Sequence, residues 1–349
     1  MKLLIQLALF DMNVGIVAAK RIIKIRLNDF FGKSRYYGVT FASWDLLWWI
    51  CFYTHMPISW TLSTFAIKRK TKWLDCYMER NYSDIIVAHS QAVASHNQNE
   101  HNEPRIWVFW GQGEADMPDL VRACYKQLTL LNNNVILVTK ANLQKFLYIP
   151  KDVYRKVEQG DITWTHFSDI IRTSLLARYG GLWLDATVWV TRPFPFEKFA
   201  KLPFFSANGK VAVSGRSVRF WSSFQWNWST WCMYAAMPNT LLFGFVSQMM
   251  QAIAIREKYW PDYVLQDYLI YYACRKFPSV GEAMAECNKF EFRSRNRLAE
   301  LMNCPYCEDE YKTLTATDYI FKLSFRANWK PFTISGIPTY YGILIDNSR

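Results

Sequence analysis

The segment at residues 168–187, SDIIRTSLLARYGGLWLDAT, constrains the fold of this chain more than any other. Its first part predicts a helix that Ser168 caps and that ends at the glycine pair 180–181. Asp169 and Arg172 are three residues apart, so the helix would carry them on one face. The apolar run LWL then predicts a strand buried on both faces that ends at a carboxylate. Open α/β sheets bind their ligands at the carboxyl ends of their strands, so this segment predicts a ligand site.

The same segment resembles the capsular polysaccharide synthesis protein family, which is related to the DXD sugar-binding glycosyltransferases of the family 32 type. That family carries the pattern S-D-x-x-R-x-x-x-L-x-x-Y-G-G-x-W-x-D, which this chain matches through Asp185. The similarity covers residues 105–325 and includes IWVFWGQG upstream and AMPN, YW, DY and KLS downstream. The resemblance implies an α/β fold with a GT-A-like nucleotide-sugar-binding sheet, flanking helices and a mostly helical N-terminal region.

The resemblance also implies an enzyme, a glycosyltransferase of the hexosyltransferase type. Its donor would be a nucleotide diphosphate-sugar, and its acceptor a capsular or surface polysaccharide or a lipid-linked glycan. Relatives in the DXD group retain the anomeric configuration, so retention is the predicted stereochemistry. The alternative is a catalytically silent subunit of a polysaccharide assembly complex that keeps the GT-A fold.

The signature residues acquire roles through this resemblance. Asp185 takes the place of the first motif Asp, which contacts ribose and sugar hydroxyls and sometimes reaches the metal through water. Asp169 and Arg172 would hydrogen-bond the donor sugar. An aromatic side chain near the first strand would stack on the base, and Trp107 and Trp110 are both candidates.

Three further residues complete the predicted site. Gln112, in the predicted nucleotide-binding turn, and Tyr179, in the signature, are expected to contact the substrate. Catalysis is assigned to Asp185. If the reaction inverts the anomeric centre, a carboxylate must also deprotonate the acceptor hydroxyl, and Asp267 is the candidate.

Thr187 departs from the wider DXD motif, whose second Asp is usually a direct metal ligand, although the D-A-T form resembles the capsular branch. A hydroxyl is a poorer ligand than a carboxylate for hard Mg²⁺ or Mn²⁺. We therefore expect Mn²⁺ or Mg²⁺ at Asp185 as the cofactor, with a metal dependence that has to be tested. A remote oxygen ligand would have to compensate for the missing carboxylate, and the candidates are Asp318, Ser324 and Asp346.

A polar linker at residues 95–103, SHNQNEHNE, divides the chain. Residues 1–100 are predicted as a helical, basic and aromatic region, residues 105–330 as the transferase domain, and residues 331–349 as a tail completing it. Alternating strands and helices support the middle part. The strands are predicted at 105–110 and 135–139 with further strand-like segments at 203–215, and the helices at 117–131, 141–146 and 240–303.

The net charge of +12 includes basic clusters at residues 20–35 and 68–72, the second after the apolar run 46–53. Such a surface suits an anionic membrane face, although a solvated basic surface over buried aromatics fits the same residues. Neither a clean membrane span nor a signal peptide is predicted, so we expect a cytoplasmic protein, peripheral on the inner membrane face. The charge accompanies no nucleic-acid recognition module, so nucleic acid is not an expected partner.

Cys304 and Cys307 have the spacing of a redox or zinc pair. They lie close to the C-terminus, and no histidine follows them that could complete a zinc site. Local packing is the favoured interpretation, with redox or zinc chemistry as the alternative.

Overall fold

A mixed five-stranded sheet lies at the centre of the computed structural model, which describes residues 16–53, 59–91, 104–208 and 228–346. Helices flank this sheet, so the predicted α/β class is confirmed, and the architecture is consistent with a GT-A-like fold. A second sheet of two strands, β4 and β7, lies beside it. The strands are β1 (Ile106–Phe109), β2 (Val135–Val138), β3 (Gly181–Leu184), β4 (Val188–Val190), β5 (Phe204–Ser206), β6 (Cys232–Ala235) and β7 (Ile320–Lys322).

The helices confirm the prediction of a mostly helical N-terminal region. In that region they are α1 (Ile16–Tyr37), α2 (Val39–Tyr53), α3 (Ser59–Asn81) and α4 (Ser83–Gln91). Those that alternate with the strands are α5 (Asp119–Leu131), α6 (Leu143–Phe146), α7 (Lys151–Gln159) and α8 (Trp164–Tyr179). The C-terminal helices are α9 (Leu241–Arg256), α10 (Leu265–Lys276), α11 (Pro278–Cys287), α12 (Arg297–Leu301), α13 (Glu308–Thr317) and α14 (Tyr340–Asp346). The predicted linker at 95–103 and the strand-like residues at 209–215 lie outside the described residues.

The order of the central sheet is β2-β1-β3-β6-β5. Strands β1, β2 and β3 are parallel, whereas β6 runs antiparallel to β3 and to β5. All four residues of β3 are buried, as its apolar sequence predicts. The carboxyl ends of the three parallel strands therefore meet at one edge, and the chain leaves β3 there at Asp185.

The signature helix α8 begins earlier than predicted. Its N-cap is Thr163, whose hydroxyl accepts a hydrogen bond of 3.2 Å from the backbone N–H of His166. Ser168 lies more than one turn inside the helix, so the prediction that it caps the helix was wrong. The helix extends to this point because His166 and Phe167 are buried and continue its apolar face into the core. The predicted end is confirmed, since Gly180 forms the C-cap with a φ of 64°.

Gly181 is required by the contact between β1 and β3. Its φ is +88°, and a Cβ atom at this position would lie 2.4 Å from the carbonyl oxygen of Arg105. That carbonyl accepts a 2.8 Å hydrogen bond from the N–H of Leu182. The glycine thus lets the first residue of β3 lie against the chain entering β1, which fixes where Asp185 leaves the sheet.

Helices of the N-terminal region pack into the same hydrophobic core as α8, α9 and α10. A buried network of charges also joins them to the loop before α10. The Nζ atom of Lys70 lies 2.9 Å from Asp45 and 3.0 Å from Asp262, and Lys33 Nζ lies 2.5 Å from the other oxygen of Asp45. Asp262 belongs to the loop between α9 and α10, so the network fixes that loop against α1, α2 and α3.

This network changes the interpretation of the basic clusters in the sequence. Lys33 and Lys70 are buried, with 2% and 0% of their surfaces exposed, and do not contribute to a basic surface. Lys24, Arg35 and Lys68 are exposed. Within the described ranges, none of the helices has the length and apolar character needed to cross a bilayer. Association with an anionic membrane face stays a prediction.

Candidate functional site

A cavity of about 580 Å³ opens at the carboxyl edge of the central sheet. Phe109 at the end of β1 and the residues after it line the cavity, and α8 contributes Arg172. The chain leaving β3 contributes Asp185, and β7 contributes Lys322. The residues that follow Phe109 are Trp110, Gly111 and Gln112, and the remaining walls include Lys140, Trp164, Ser168, Trp183, Thr187, Tyr263, Ser324, Phe325 and Arg326.

Asp185 lies at the centre of the polar contacts in this cavity. Its Oδ1 atom accepts hydrogen bonds of 3.0 Å from Arg172 Nη2 and from Trp183 Nε1. Its Oδ2 atom accepts one of 2.8 Å from Lys322 Nζ. Burial alone would raise the pKa of the Asp185 carboxyl, but the Lys322 and Arg172 cations outweigh burial and lower it to about 2. Asp185 is therefore an anion held between two cations at neutral pH.

Lys322 also contacts Thr187, two residues after Asp185. Its Nζ atom lies 2.7 Å from the hydroxyl oxygen of Thr187. The segment from Asp185 to Val188 forms a turn, closed by a 3.0 Å hydrogen bond from the Val188 N–H to the Asp185 carbonyl. In the antiparallel pairing of β4 with β7, Val188 lies opposite Lys322, and this register places the ammonium over the turn.

Asp169 pairs with Arg172 and so joins Asp185, Arg172 and Lys322 in one charge cluster. The Nη1 atom of Arg172 donates to Asp169 Oδ1 at 2.8 Å and to Gln266 Oε1 at 3.3 Å. Burial raises the pKa of the Asp169 carboxyl to about 6, although Arg172 opposes the shift. The charge of Asp169 also affects Asp267. Burial, and then the Asp169 carboxylate, raise the pKa of the Asp267 carboxyl well above its ordinary value. The two neighbouring carboxyl groups thus shift Asp267 toward its protonated form.

Aromatic rings line several walls of the cavity. The ring centroids of Trp110 and Phe325 are 5.3 Å apart, with the two planes nearly perpendicular. Trp164 is 45% exposed, and the Lys140 ammonium lies 3.8 Å from its ring centroid. Tyr263 is also 45% exposed. These rings offer apolar faces of the kind on which bases and sugars stack.

The predicted site residues separate into two groups. Trp110, Gln112, Arg172 and Asp185 line the cavity, and Asp169 joins them through Arg172. The other predicted residues, Trp107, Tyr179 and Asp267, are not part of its lining.

Trp107 lies in the core rather than in the cavity. It is fully buried, and its Nε1 atom donates to the Gly180 carbonyl at 2.9 Å. Tyr179 packs against its ring and donates a 2.9 Å hydrogen bond to the Phe146 carbonyl. Trp107 lies two residues before the carboxyl end of β1, whereas Phe109 at that end and Trp110 beyond it line the cavity. Trp110 is therefore the better candidate for a base-stacking ring.

The remote oxygen ligands considered for a metal differ in their positions. Ser324 lines the cavity, whereas Asp318 and Asp346 do not. Asp318 accepts a hydrogen bond from the backbone N–H of Ser294, and Asp346 ends α14. Over the described ranges, no group of three or more His, Cys, Asp or Glu side chains could hold a metal ion. Cys304 and Cys307, both exposed free thiols, form no such group either.

Sequence reasoning missed most of the cations in the cavity. Lys322 stands out in the sequence only as part of the KLS landmark, directly at the end of an apolar strand. Lys140 follows β2 in the same way, at the carboxyl end of a parallel strand, which is a signal that could have been used. Arg326, Trp164 and Tyr263 offer no comparable local signal.

A second cavity, of about 950 Å³, lies beside α9 and β5. Its walls are mainly apolar and small residues, such as Leu202, Pro203 and Leu242. Lys201 is the one Lys, Arg, Asp or Glu among its described lining residues. It therefore lacks the converging charges that distinguish the first cavity, although it is larger.

The structure is that of an α/β protein with a cation-rich cavity at the carboxyl edge of a mixed sheet. The chain belongs to the capsular polysaccharide synthesis protein family, whose model matches residues 59–342. The match begins in α3 and ends in α14, so it includes both sheets and every residue of the charge cluster. No curated protein matches the chain. Family membership supports a role in capsule biosynthesis.

Proposed function

We propose that this protein is a glycosyltransferase that moves a sugar from a nucleotide diphosphate-sugar to a capsular or surface polysaccharide or to a lipid-linked glycan. The charge of the cavity carries this proposal. Its lining includes four cations and one carboxylate, an excess that suits the negative charge of a diphosphate. The cations are Lys140, Arg172, Lys322 and Arg326, and the carboxylate is Asp185.

Other residues of the cavity match the base and the sugar of the proposed donor. The base would stack on the aromatic pair of Trp110 and Phe325 at the end of β1. Hydroxyl groups of the sugar or ribose would donate to the Asp185 carboxylate, as the first Asp does in the DXD transferases that this family resembles. Asp169, which does not itself line the cavity, would hold Arg172 in place, while Gln112 would contact the nucleotide.

In the proposed reaction, the bond between the anomeric carbon and the diphosphate oxygen breaks, and its electron pair stays on the diphosphate. The acceptor hydroxyl oxygen forms the new bond to that carbon and loses its proton. Asp267 is a poor base for this proton, because its raised pKa favours the protonated form and it lies outside the cavity lining. We therefore propose that the leaving diphosphate accepts the proton, which is compatible with retention.

The silent subunit remains the rival function, and the observation that favours it is the hydroxyl of Thr187 in place of a second carboxylate. A turnover assay separates the two. Purified protein is incubated with diphosphate-sugars of uridine, guanosine and thymidine, with and without capsular oligosaccharides, and release of the nucleoside diphosphate is measured. A silent subunit releases none from any donor.

Arg172→Met is expected to lower this release by about a hundredfold, because it removes a cation from the cavity and the partner of two carboxylates. Arg178→Met is the matched control, since Arg178 is an exposed arginine on the same helix. It should stay within threefold of the wild type. Equal activity of the two variants would contradict the assignment of the donor site to this cavity.

The pH dependence of kcat/KM should reveal the titration of the Asp169 carboxyl. Because burial raises its pKa from an ordinary value of 3.8 to about 6, the carboxylate is lost as the pH falls through 6. Arg172 then loses the anion that holds it in the cavity, so kcat/KM should fall about tenfold per pH unit below 6. Asp169→Asn should be less active at pH 8 and show no such decline. An unchanged acid decline in that variant would assign the titration to another group.

A further inference from the structure

We propose that the Lys322 ammonium takes the place of the divalent cation in this site, so that the protein binds its nucleotide diphosphate without a metal ion. This inference rests on the proposed function, because it names the group that neutralises the diphosphate. The position of Lys322 carries it: one ammonium contacts both Asp185 and Thr187, the two residues aligned with the DXD pattern.

The contacts of Lys322 leave little room for a metal ion. Its Nζ atom is 2.8 Å from Asp185 Oδ2 and 2.7 Å from Thr187 Oγ1. Mg²⁺ requires oxygen ligands at about 2.0–2.1 Å in near-octahedral geometry, so it would have to displace the ammonium from both oxygens. Two cations at this distance would also repel each other strongly.

The second oxygen of Asp185 does not offer an alternative. It accepts hydrogen bonds from Arg172 and Trp183, and Arg172 is itself 5% exposed and held by Asp169. A metal ion there would replace a buried, paired guanidinium. The side chains that the structure describes therefore do not fit a divalent cation at Asp185.

The backbone holds Lys322 firmly in this position. Val188 and Lys322 lie opposite each other in the β4–β7 pair, and the N–H of Leu323 donates to the Thr187 carbonyl at 3.0 Å. On the other side, the N–H of Lys322 donates to the Arg295 carbonyl at 2.8 Å. Strand pairing thus fixes the backbone of Lys322 beside the turn that carries Asp185 and Thr187.

The ammonium is also placed to contact a phosphate. It has three N–H groups, of which two point to Asp185 and Thr187. Among the described residues, none accepts a hydrogen bond from the third, and Lys322 lines the cavity with 26% of its side chain exposed. A fixed cation at this point would stabilise the charge that develops on the leaving diphosphate.

The first experiment measures metal binding directly, by calorimetric titration of Mn²⁺ alone. A double variant, Lys322→Ala with Thr187→Asp, removes the ammonium and restores two carboxylates. We expect it to bind Mn²⁺ at least about tenfold more tightly than the wild type. Lys330→Ala, which removes an exposed lysine of the same C-terminal segment, is the matched control and should resemble the wild type. Thermal unfolding checks that each variant is folded. Equal Mn²⁺ affinity of the wild type and the double variant would overturn the inference.

The second experiment measures the affinity for nucleoside diphosphates, with UDP, GDP and TDP as probes, in EDTA and in Mn²⁺. The wild type should bind its preferred nucleotide equally well in both, within threefold. Lys322→Ala should weaken that binding in EDTA by about tenfold or more, since it removes a charged hydrogen-bond donor. Binding by the wild type that requires Mn²⁺ contradicts this inference alone. Binding of no nucleotide under either condition contradicts the proposed function, and this inference with it.

Discussion

Asp185→Asn is expected to lower kcat/KM for sugar transfer by about 10²–10³-fold, which corresponds to about 3–4 kcal/mol of transition-state stabilisation. The Asp185 carboxylate accepts hydrogen bonds from Arg172 and Trp183 through one oxygen and from Lys322 through the other. An amide has one acceptor oxygen, so one of these groups would face an NH₂ instead. The two cations would also lose the anion that orders them.

The loss should appear in kcat rather than in binding of the diphosphate. Removal of a negative charge next to the phosphates does not weaken their attraction to Lys322 and Arg172. We therefore expect the nucleoside diphosphate to bind Asp185→Asn at least as tightly as the wild type. Asp161→Asn removes an exposed carboxylate and serves as the control, with unchanged kinetics. Transfer by Asp185→Asn within threefold of the wild type would exclude Asp185 from the chemistry.

Lys70→Met is expected to lower the free energy of unfolding by about 3–5 kcal/mol, the largest stability effect that we expect from a single substitution. Lys70 is fully buried and pairs with Asp45 and Asp262, which would both stay behind in the core. Asp45 would keep Lys33, whereas Asp262 would lose its cation. Lys72→Met removes an exposed lysine of the same helix and should change the unfolding free energy by less than about 0.5 kcal/mol.

Urea denaturation at several pH values measures this effect and its origin. Burial alone would raise the pKa of Asp45, but Lys33 and Lys70 outweigh burial and lower it from 3.8 to about 2. The stability that this lowered pKa provides is present above pH 4 and is lost as the pH falls toward 2. The difference between the wild type and Lys70→Met should therefore shrink in acid. A difference below about 1 kcal/mol at pH 7 would mean that the network contributes little.

This network also affects the site. Asp262 directly precedes Tyr263, which lines the cavity, and lies close to Gln266, which accepts a hydrogen bond from Arg172. The N-terminal helices therefore support one wall of the cavity, although their sequence reads as a separate basic region. The match to the family begins at residue 59, in the helix that carries Lys70. The division into domains at the linker stays a prediction.

The local part of the site could be predicted from sequence. Asp169 and Arg172 lie on one face of a helix, and Asp185 follows a buried strand, because spacing and apolar runs within one segment determine both features. The structure brings all three together. Trp110 and Gln112 follow the first strand, where a nucleotide-binding turn was predicted, and both line the cavity.

The long-range part could not be predicted in the same way. Lys322 reaches Asp185 across 137 residues, through a pairing of β4 with β7 that no local pattern indicates. Lys33 and Lys70 read as members of basic surface clusters, because their partners Asp45 and Asp262 lie on other elements of the fold. Trp107 was a candidate for base stacking because the sequence does not show where this short strand ends: Trp107 lies inside the strand and is buried, whereas Trp110 follows its end and lines the cavity.

The assignment of the charge cluster to a sugar donor is tested most directly by calorimetric titration of nucleotide diphosphate-sugars, with uridine, guanosine and thymidine donors, into the wild type and Arg172→Met. We expect at least one donor to bind the wild type in a one-to-one complex and to bind Arg172→Met at least about tenfold more weakly. Arg178→Met should bind that donor as the wild type does. If every donor fails to bind the wild type, or if the preferred donor binds Arg172→Met with unchanged affinity, the cavity at Asp185 is not a donor site.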